Sequence, residues 1–356
     1  MLNTYFLGGA SPAGFETDFW QEQRHCYGIL LKGGPGTGKS TLMKKIAAAF
    51  PDEPVSVYHC ASDPHSLDAI VLEARGVYLA DATAPHEAGT PLPAVTGELA
   101  DLAAGLDPET MRPHADAVRS LYAANQAAHL QARKGFAGIA ALEEQITLNG
   151  ERALLHEKLS RYASRLAGRI LPKKSGTSGT LLHRQRIAVT PSGRTAFLPE
   201  NCDLMLLDDP ARTAGALLLT ALAESAAAHG QTAELTRALT DKHRAPVMLV
   251  LPEQSVVLAA SYALPPICNT APVSVLHLQR FYDTQLLRQH RSLMRFCAKA
   301  AAAAEEKTVS LLADALRIHD ELESHYIGML DTERLDRTAE QLIERLRTFP
   351  YQNKAA

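Results

Sequence analysis

Aromatic residues are scarce in this chain of 356 residues: 6% of positions, with one tryptophan. Surfaces that hold single-stranded nucleic acid stack bases on aromatic rings, and few such platforms can be built here. Charge of one sign is not in excess either. With 36 Lys and Arg against 39 Asp and Glu, the formal net charge is −3, so no overall basic field is present to hold a nucleic-acid backbone. Cysteine is sparse: Cys26, Cys60, Cys202, Cys268 and Cys297 are odd in number, dispersed and without C-x-x-C spacing. That set is poor material for disulfides or zinc, and reduced core thiols are expected. Long apolar runs are missing, so no bilayer-spanning segment is expected. The start, Met1-Leu2-Asn3-Thr4-Tyr5-Phe6, joins no basic region to a long apolar one as a signal peptide does. The expectation is a cytoplasmic protein without membrane association.

What the chain does have is an apolar, globular composition, 46% hydrophobic and 21% charged, and enough length for two ordinary domains. Its most informative stretch is Gly33-Gly34-Pro35-Gly36-Thr37-Gly38-Lys39-Ser40-Thr41, which fits the phosphate-binding pattern G-x-x-x-x-G-K-[ST] at every defined position. Glycines let consecutive backbone N–H groups turn inward toward phosphate oxygens, in conformations that a Cβ obstructs. Lys39 is expected to bring an ammonium to the β- and γ-phosphates, and the Ser40 hydroxyl to ligate magnesium. The flanks suit the motif. Tyr27-Gly28-Ile29-Leu30-Leu31 reads as a buried parallel strand. Thr41 to Phe50 reads as a helix with Leu42, Met43, Ile46 and Phe50 on one face, closed by Pro51. Phosphates bound there would feel the positive end of that helix.

Downstream, Pro54 to Cys60 reads as a second strand, Ala61 to Asp68 as a turn entering a short helix, and Gly76 to Asp81 as a third strand. Alternating strands and helices predict an α/β domain with a parallel sheet. Asp81, a carboxylate ending an apolar strand, is the second candidate: such folds hold magnesium at that position, directly or through water. No glutamate follows it immediately, so a water-activating base is not evident there. Asp63 and His59 follow the second strand, on the edge where open α/β sheets carry ligands. Asp63 is carried as a candidate catalytic residue beside Lys39 and Asp81. For it, for His59 and for His86, capping or core hydrogen bonding is the competing role. No Asn-Lys-x-Asp stretch is present, since Thr240-Asp241-Lys242-His243 lacks the leading Asn; ATP is therefore favoured over GTP.

From Asp107 to Leu171 the pattern changes to long Ala-, Leu-, Glu- and Arg-rich helices whose apolar faces include Leu142, Ile146, Leu155 and Leu159. Pro172 to Gly179 is a linker by composition. The second half then replays the first. Ser11-Pro12-Ala13-Gly14 matches Thr190-Pro191-Ser192-Gly193, and Leu30-Leu31 matches Leu206-Leu207. Leu42, Met43, Ile46 and Ala47 fall on Leu218, Leu219, Leu222 and Ala223, and Glu157 to Tyr162 resembles Glu333 to Thr338. Similarity in order along the chain predicts a tandem duplication, each copy a core followed by a helical segment. The expected boundaries are 1–105 for the core with the intact loop, 106–172 helical, 173–180 linker, 181–280 a degenerate core and 281–350 helical. In the second copy Arg212-Thr213-Ala214-Gly215-Ala216 lies over Gly36-Thr37-Gly38-Lys39-Ser40, so the lysine and the serine are lost. Asp208 and Asp209 just upstream are expected to repel a triphosphate.

Residues 32–46, 59–68 and 81–86 together resemble the poorly characterised bacterial ATPase-like proteins with two tandem phosphate-loop domains. The resemblance is specific through the first 90 residues or so and diffuse beyond them. It implies a P-loop NTPase fold, ATP binding and hydrolysis, and Gly33 to Thr41 as the binding loop; the Mg²⁺ expected there is read from Ser40 and Asp81. In such relatives the second domain often keeps its own loop; the departure at 209–217 leaves one working site. Three readings compete: an ATPase working against a pseudo-domain, a small-molecule kinase, and a nucleotide-gated protein whose helical segments dock a partner protein.

Overall fold

The computed structural model describes residues 2–86, 89, 92–172, 178–265 and 273–349. Cys268 and most of the expected linker lie outside them. The strands are β1 (Leu2–Phe6), β2 (Gly9–Ser11), β3 (Gly14–Glu16), β4 (Tyr27–Lys32), β5 (Val55–His59), β6 (Leu67–Leu72), β7 (Val77–Asp81) and β8 (Gly97–Asp101). They continue with β9 (Thr180–His183), β10 (Ile187–Thr190), β11 (Gly193–Ala196), β12 (Asp203–Asp208), β13 (Thr232–Arg237), β14 (Pro246–Leu251), β15 (Val256–Ala260) and β16 (Val273–His277). The helices are α1 (Phe19–Glu22), α2 (Lys39–Ala48), α3 (Pro108–Met111), α4 (Ala115–Ala153), α5 (His156–Ile170), α6 (Ala214–Ala228), α7 (Thr284–Ile327) and α8 (Thr332–Thr348). Among the described residues no helix is long and apolar enough to cross a membrane.

Two compact units are formed. One comprises Met1–Gly8, Phe19–Gln131 and Ser310–Ala356, the other Gly9–Asp18 and Ala132–Val309. The first holds a six-stranded sheet in the order β1-β5-β6-β7-β4-β8. β4 is parallel to both its neighbours, β7 and β8, and Ile29, Leu30 and Leu31 are buried on both faces, as a central parallel strand requires. The sheet is mixed, not parallel as expected, because β6 runs antiparallel to β5 and β7. That strand also replaces the helix expected after Ala61. The run Leu67 to Leu72 is buried at every position, and a short apolar run covered on both faces carries no period to separate strand from helix.

The second unit repeats the topology. Its sheet runs β9-β13-β14-β15-β12-β16, with β14 the antiparallel strand and β12 parallel to β15 and β16. The Ser-Pro-Ala-Gly and Thr-Pro-Ser-Gly matches are the turns of two hairpins, β2–β3 and β10–β11. In each, Ser11 or Thr190 pairs with a glycine, Gly14 or Gly193, at positive φ. In each, too, the hydroxyl accepts the N–H two residues on, Ala13 at 3.0 Å and Ser192 at 3.2 Å.

α2 puts Leu42, Met43 and Ile46 into the first core. Leu335, Ala339, Leu342 and Leu346 of α8 fill the same core from the end of the chain. In the second unit Leu159, Ala163, Leu166 and Ala167 of α5 pack with Leu218, Leu219 and Leu222 of α6. Leu155 departs from its expected place on an apolar face: it is the residue before α5 and is 39% exposed.

Candidate functional site

β4 ends at Lys32, and the chain turns through Gly33 to Gly38 into α2. Two loop positions lie in left-handed backbone, Gly36 at φ 69° and Gly38 at φ 82°, where a side chain costs roughly 1–2 kcal/mol. Gly33 is needed for space: a Cβ there would lie 2.3 Å from Thr37 Oγ1. Thr37 is buried and ties the loop, donating to Gly34 O at 2.9 Å. Pro35 sits between these glycines, half-buried, and Thr41 is exposed on the helix.

Lys39 is the first residue of α2. Its ammonium turns back over the loop, donating to Gly33 O at 3.1 Å and Gly34 O at 2.8 Å, and lies 3.6 Å from Asp81 Oδ2. Asp81 ends β7 in register with Leu31, the residue before Lys32. Adjacent parallel strands thus bring loop and carboxylate to one sheet edge, where α/β folds carry their ligands. Asp81 Oδ1 accepts the Thr83 N–H at 2.7 Å, and Thr83 Oγ1 donates to Gly33 O at 2.9 Å, so the segment after β7 braces the loop. Ser40 Oγ accepts the Leu67 N–H at 3.0 Å, a bond that leaves its own O–H available.

Asp63 stays with its turn. Its carboxylate accepts the His65 N–H at 3.1 Å and its carbonyl accepts Ser66 N–H at 2.9 Å, the capping role weighed against catalysis. His59 Nδ1 is 2.7 Å from Pro64 O, and burial holds the ring below its ordinary range.

Two residues of the site gave no signal in the sequence. Asp68 of β6 is buried, and its carboxylate lies 3.5 Å from His86 Nε2. Burial pushes the Asp68 carboxyl above the usual carboxylate range, and the Asp81 charge adds to this; the charges of His86 and Lys39 and a Cys60 hydrogen bond pull the other way. The Asp68 carboxyl therefore holds its proton more firmly than an exposed one, as burial requires. The other is Glu323, near the end of α7, whose Oε1 accepts the Gly36 N–H at 2.9 Å. Its sequence distance from the loop hid it.

The corresponding loop of the second unit differs in kind. Arg212 keeps a left-handed turn, at φ 59°, its guanidinium 2.6 Å from Glu143 and stacked on Tyr262 at 4.4 Å. Asp209 follows β12 as Gly33 follows β4. It does not stand off as a repelling charge, as expected; it lies inside the turn. Its carboxylate accepts Ala211 N–H at 3.2 Å and Gly215 N–H at 2.8 Å, and the Tyr282 hydroxyl donates to it at 2.7 Å. The Tyr282 oxygen in turn accepts Ala214 N–H at 2.7 Å and Thr213 N–H at 3.3 Å. This cradle is filled by the chain's own oxygens. Asp81 has no counterpart either, because Ala260 ends β15.

No protein-family model, curated protein or solved structure matches the chain.

Proposed function

We propose that the chain is an ATP-binding protein of the phosphate-loop type, hydrolysing ATP with Mg²⁺ at one site, with the second unit as a pseudo-domain. The observation that carries this reading is the convergence on one sheet edge of a glycine loop with two left-handed positions, Lys39 at a helix N-terminus, Ser40 and Asp81. Gly33 to Thr41 hold the phosphates and Lys39 neutralises them. Ser40 and Asp81 offer the hard oxygen donors that Mg²⁺ takes. Bound there, the ion would supply charge neutralisation on the phosphates.

Asp68 is the residue we assign as base. A water oxygen bonds to the γ-phosphorus, the bond to the β-phosphate oxygen breaks, and the water proton passes to Asp68, whose Oδ2 lies 3.5 Å from His86 Nε2. Asp68→Asn separates this role from a structural one. An acid whose folded pKa is raised by burial favours folding when protonated, and that contribution is lost as pH rises past its unfolded value. The amide removes the charge, so the variant is expected to melt no lower than wild type at pH 7 and to keep ATP affinity. Its phosphate release should fall about 100-fold or more. An unchanged release rate removes Asp68 from the mechanism; no release from wild type, with ATP bound, favours the nucleotide-gated reading. That second reading draws on the Glu323 contact, which ties α7 to the loop.

A further inference from the structure

We propose that Glu323 is a displaceable internal ligand of the phosphate loop, exchanged for a nucleotide phosphate. The inference rests on the nucleotide reading above and adds what the site does to the rest of its unit.

The turn between α7 and α8 is built against the glycines of the loop. A Cβ on Gly36 would lie 3.0 Å from both Glu323 O and Tyr326 Cβ, and one on Gly38 would lie 2.5 Å from Leu335 Cδ2. A side chain at either glycine would press on the elbow, and the positive φ of both already favours glycine. From this position the Glu323 carboxylate takes the Gly36 N–H, one of the groups a phosphate-binding turn directs at its anion. A single N–H makes one good hydrogen bond, so carboxylate and phosphate oxygen exclude one another there, and their like charges repel.

The second loop gives the comparison. There the internal anion is Asp209, 4% exposed and tied by Tyr282, with no route to exchange short of opening the core. Glu323 is about one-third exposed, with His319 Nε2 at 4.0 Å and the Asp320 carboxylate within 4.8 Å beside it. One cradle is sealed and the other latched. Beyond Glu323 the elbow is anchored: Leu330 bridges Leu106, Asp331 N–H reaches Gly105 O at 3.3 Å, and Asp331 caps α8 through Arg334 N–H at 2.9 Å. Release of the carboxylate therefore acts on the last turns of α7 and leaves α8 in the core. Nucleotide occupancy is converted into a change at a helix end, which a partner protein can read.

The test uses the full chain. Glu323→Ala removes the competitor and is expected to tighten ATP binding about tenfold, with Glu323→Gln intermediate. Hydrogen exchange over residues 319–328 should rise when ATP is added to wild type, and should already be raised in Glu323→Ala before addition. Binding by wild type with affinity within twofold in Glu323→Ala, and unchanged exchange, overturns the latch alone. Weaker binding in Glu323→Ala makes Glu323 a direct nucleotide contact and overturns it too. Absence of binding in both proteins overturns the nucleotide reading, and the latch with it.

Discussion

Replacing Asp209 with alanine is expected to cost the second unit about 3 kcal/mol or more, seen as early loss of hydrogen-exchange protection over α6. The carboxylate is the acceptor for Ala211 N–H, Gly215 N–H and the Tyr282 hydroxyl. All three are buried, and a buried donor stripped of its partner costs roughly 1–3 kcal/mol. Burial raises the Asp209 pKa, so its own desolvation already opposes the fold; what keeps it is the backbone it satisfies. Tyr282→Phe should cost less, since it strips two N–H donors, Ala214 at 2.7 Å and Thr213 at a longer 3.3 Å, where Asp209→Ala strips three groups. If Asp209→Ala leaves stability and α6 protection unchanged, the sealed cradle is not what holds that turn.

Lys39→Ala is expected to weaken Mg·ATP binding roughly 100-fold, the value of charge-assisted contacts worth about 1.5–3 kcal/mol. Lys39 is the lysine that turns over the loop. Lys44 and Lys45 lie on the same helix but reach His65 O and Asp336. Alanine at either of those should leave affinity within about twofold, as exposed contacts do. Fluorescence titration of the three variants separates a phosphate contact from a general loss of positive charge. Equal losses in all three would remove Lys39 from its assigned place.

The loop was legible in the sequence because its chemistry is local. Nine consecutive residues carry the turn, the lysine and the hydroxyl, and the helix that follows shows its face in Leu42, Met43 and Ile46. The repeat was legible at Ser11-Pro12-Ala13-Gly14 and Thr190-Pro191-Ser192-Gly193, because a tight turn fixes residue types. β6 was not, since Leu67 to Leu72 is buried on both sides and lacks the alternation that marks a half-buried strand. With β6 misread, Asp68 had no element to place it beside Asp81. Glu323 and Tyr282 meet their loops only through tertiary packing, so neither the latch nor the seal left a local pattern. Asp209 was visible as a charge, but charge alone does not say whether a carboxylate repels an anion or replaces it.

We propose one nucleotide-binding loop and one filled by its own chain. Calorimetric titration of the full chain with Mg·ATP tests it most directly. The predicted result is one site per chain, lost in Lys39→Ala. Two sites per chain, or one that survives Lys39→Ala, would contradict it.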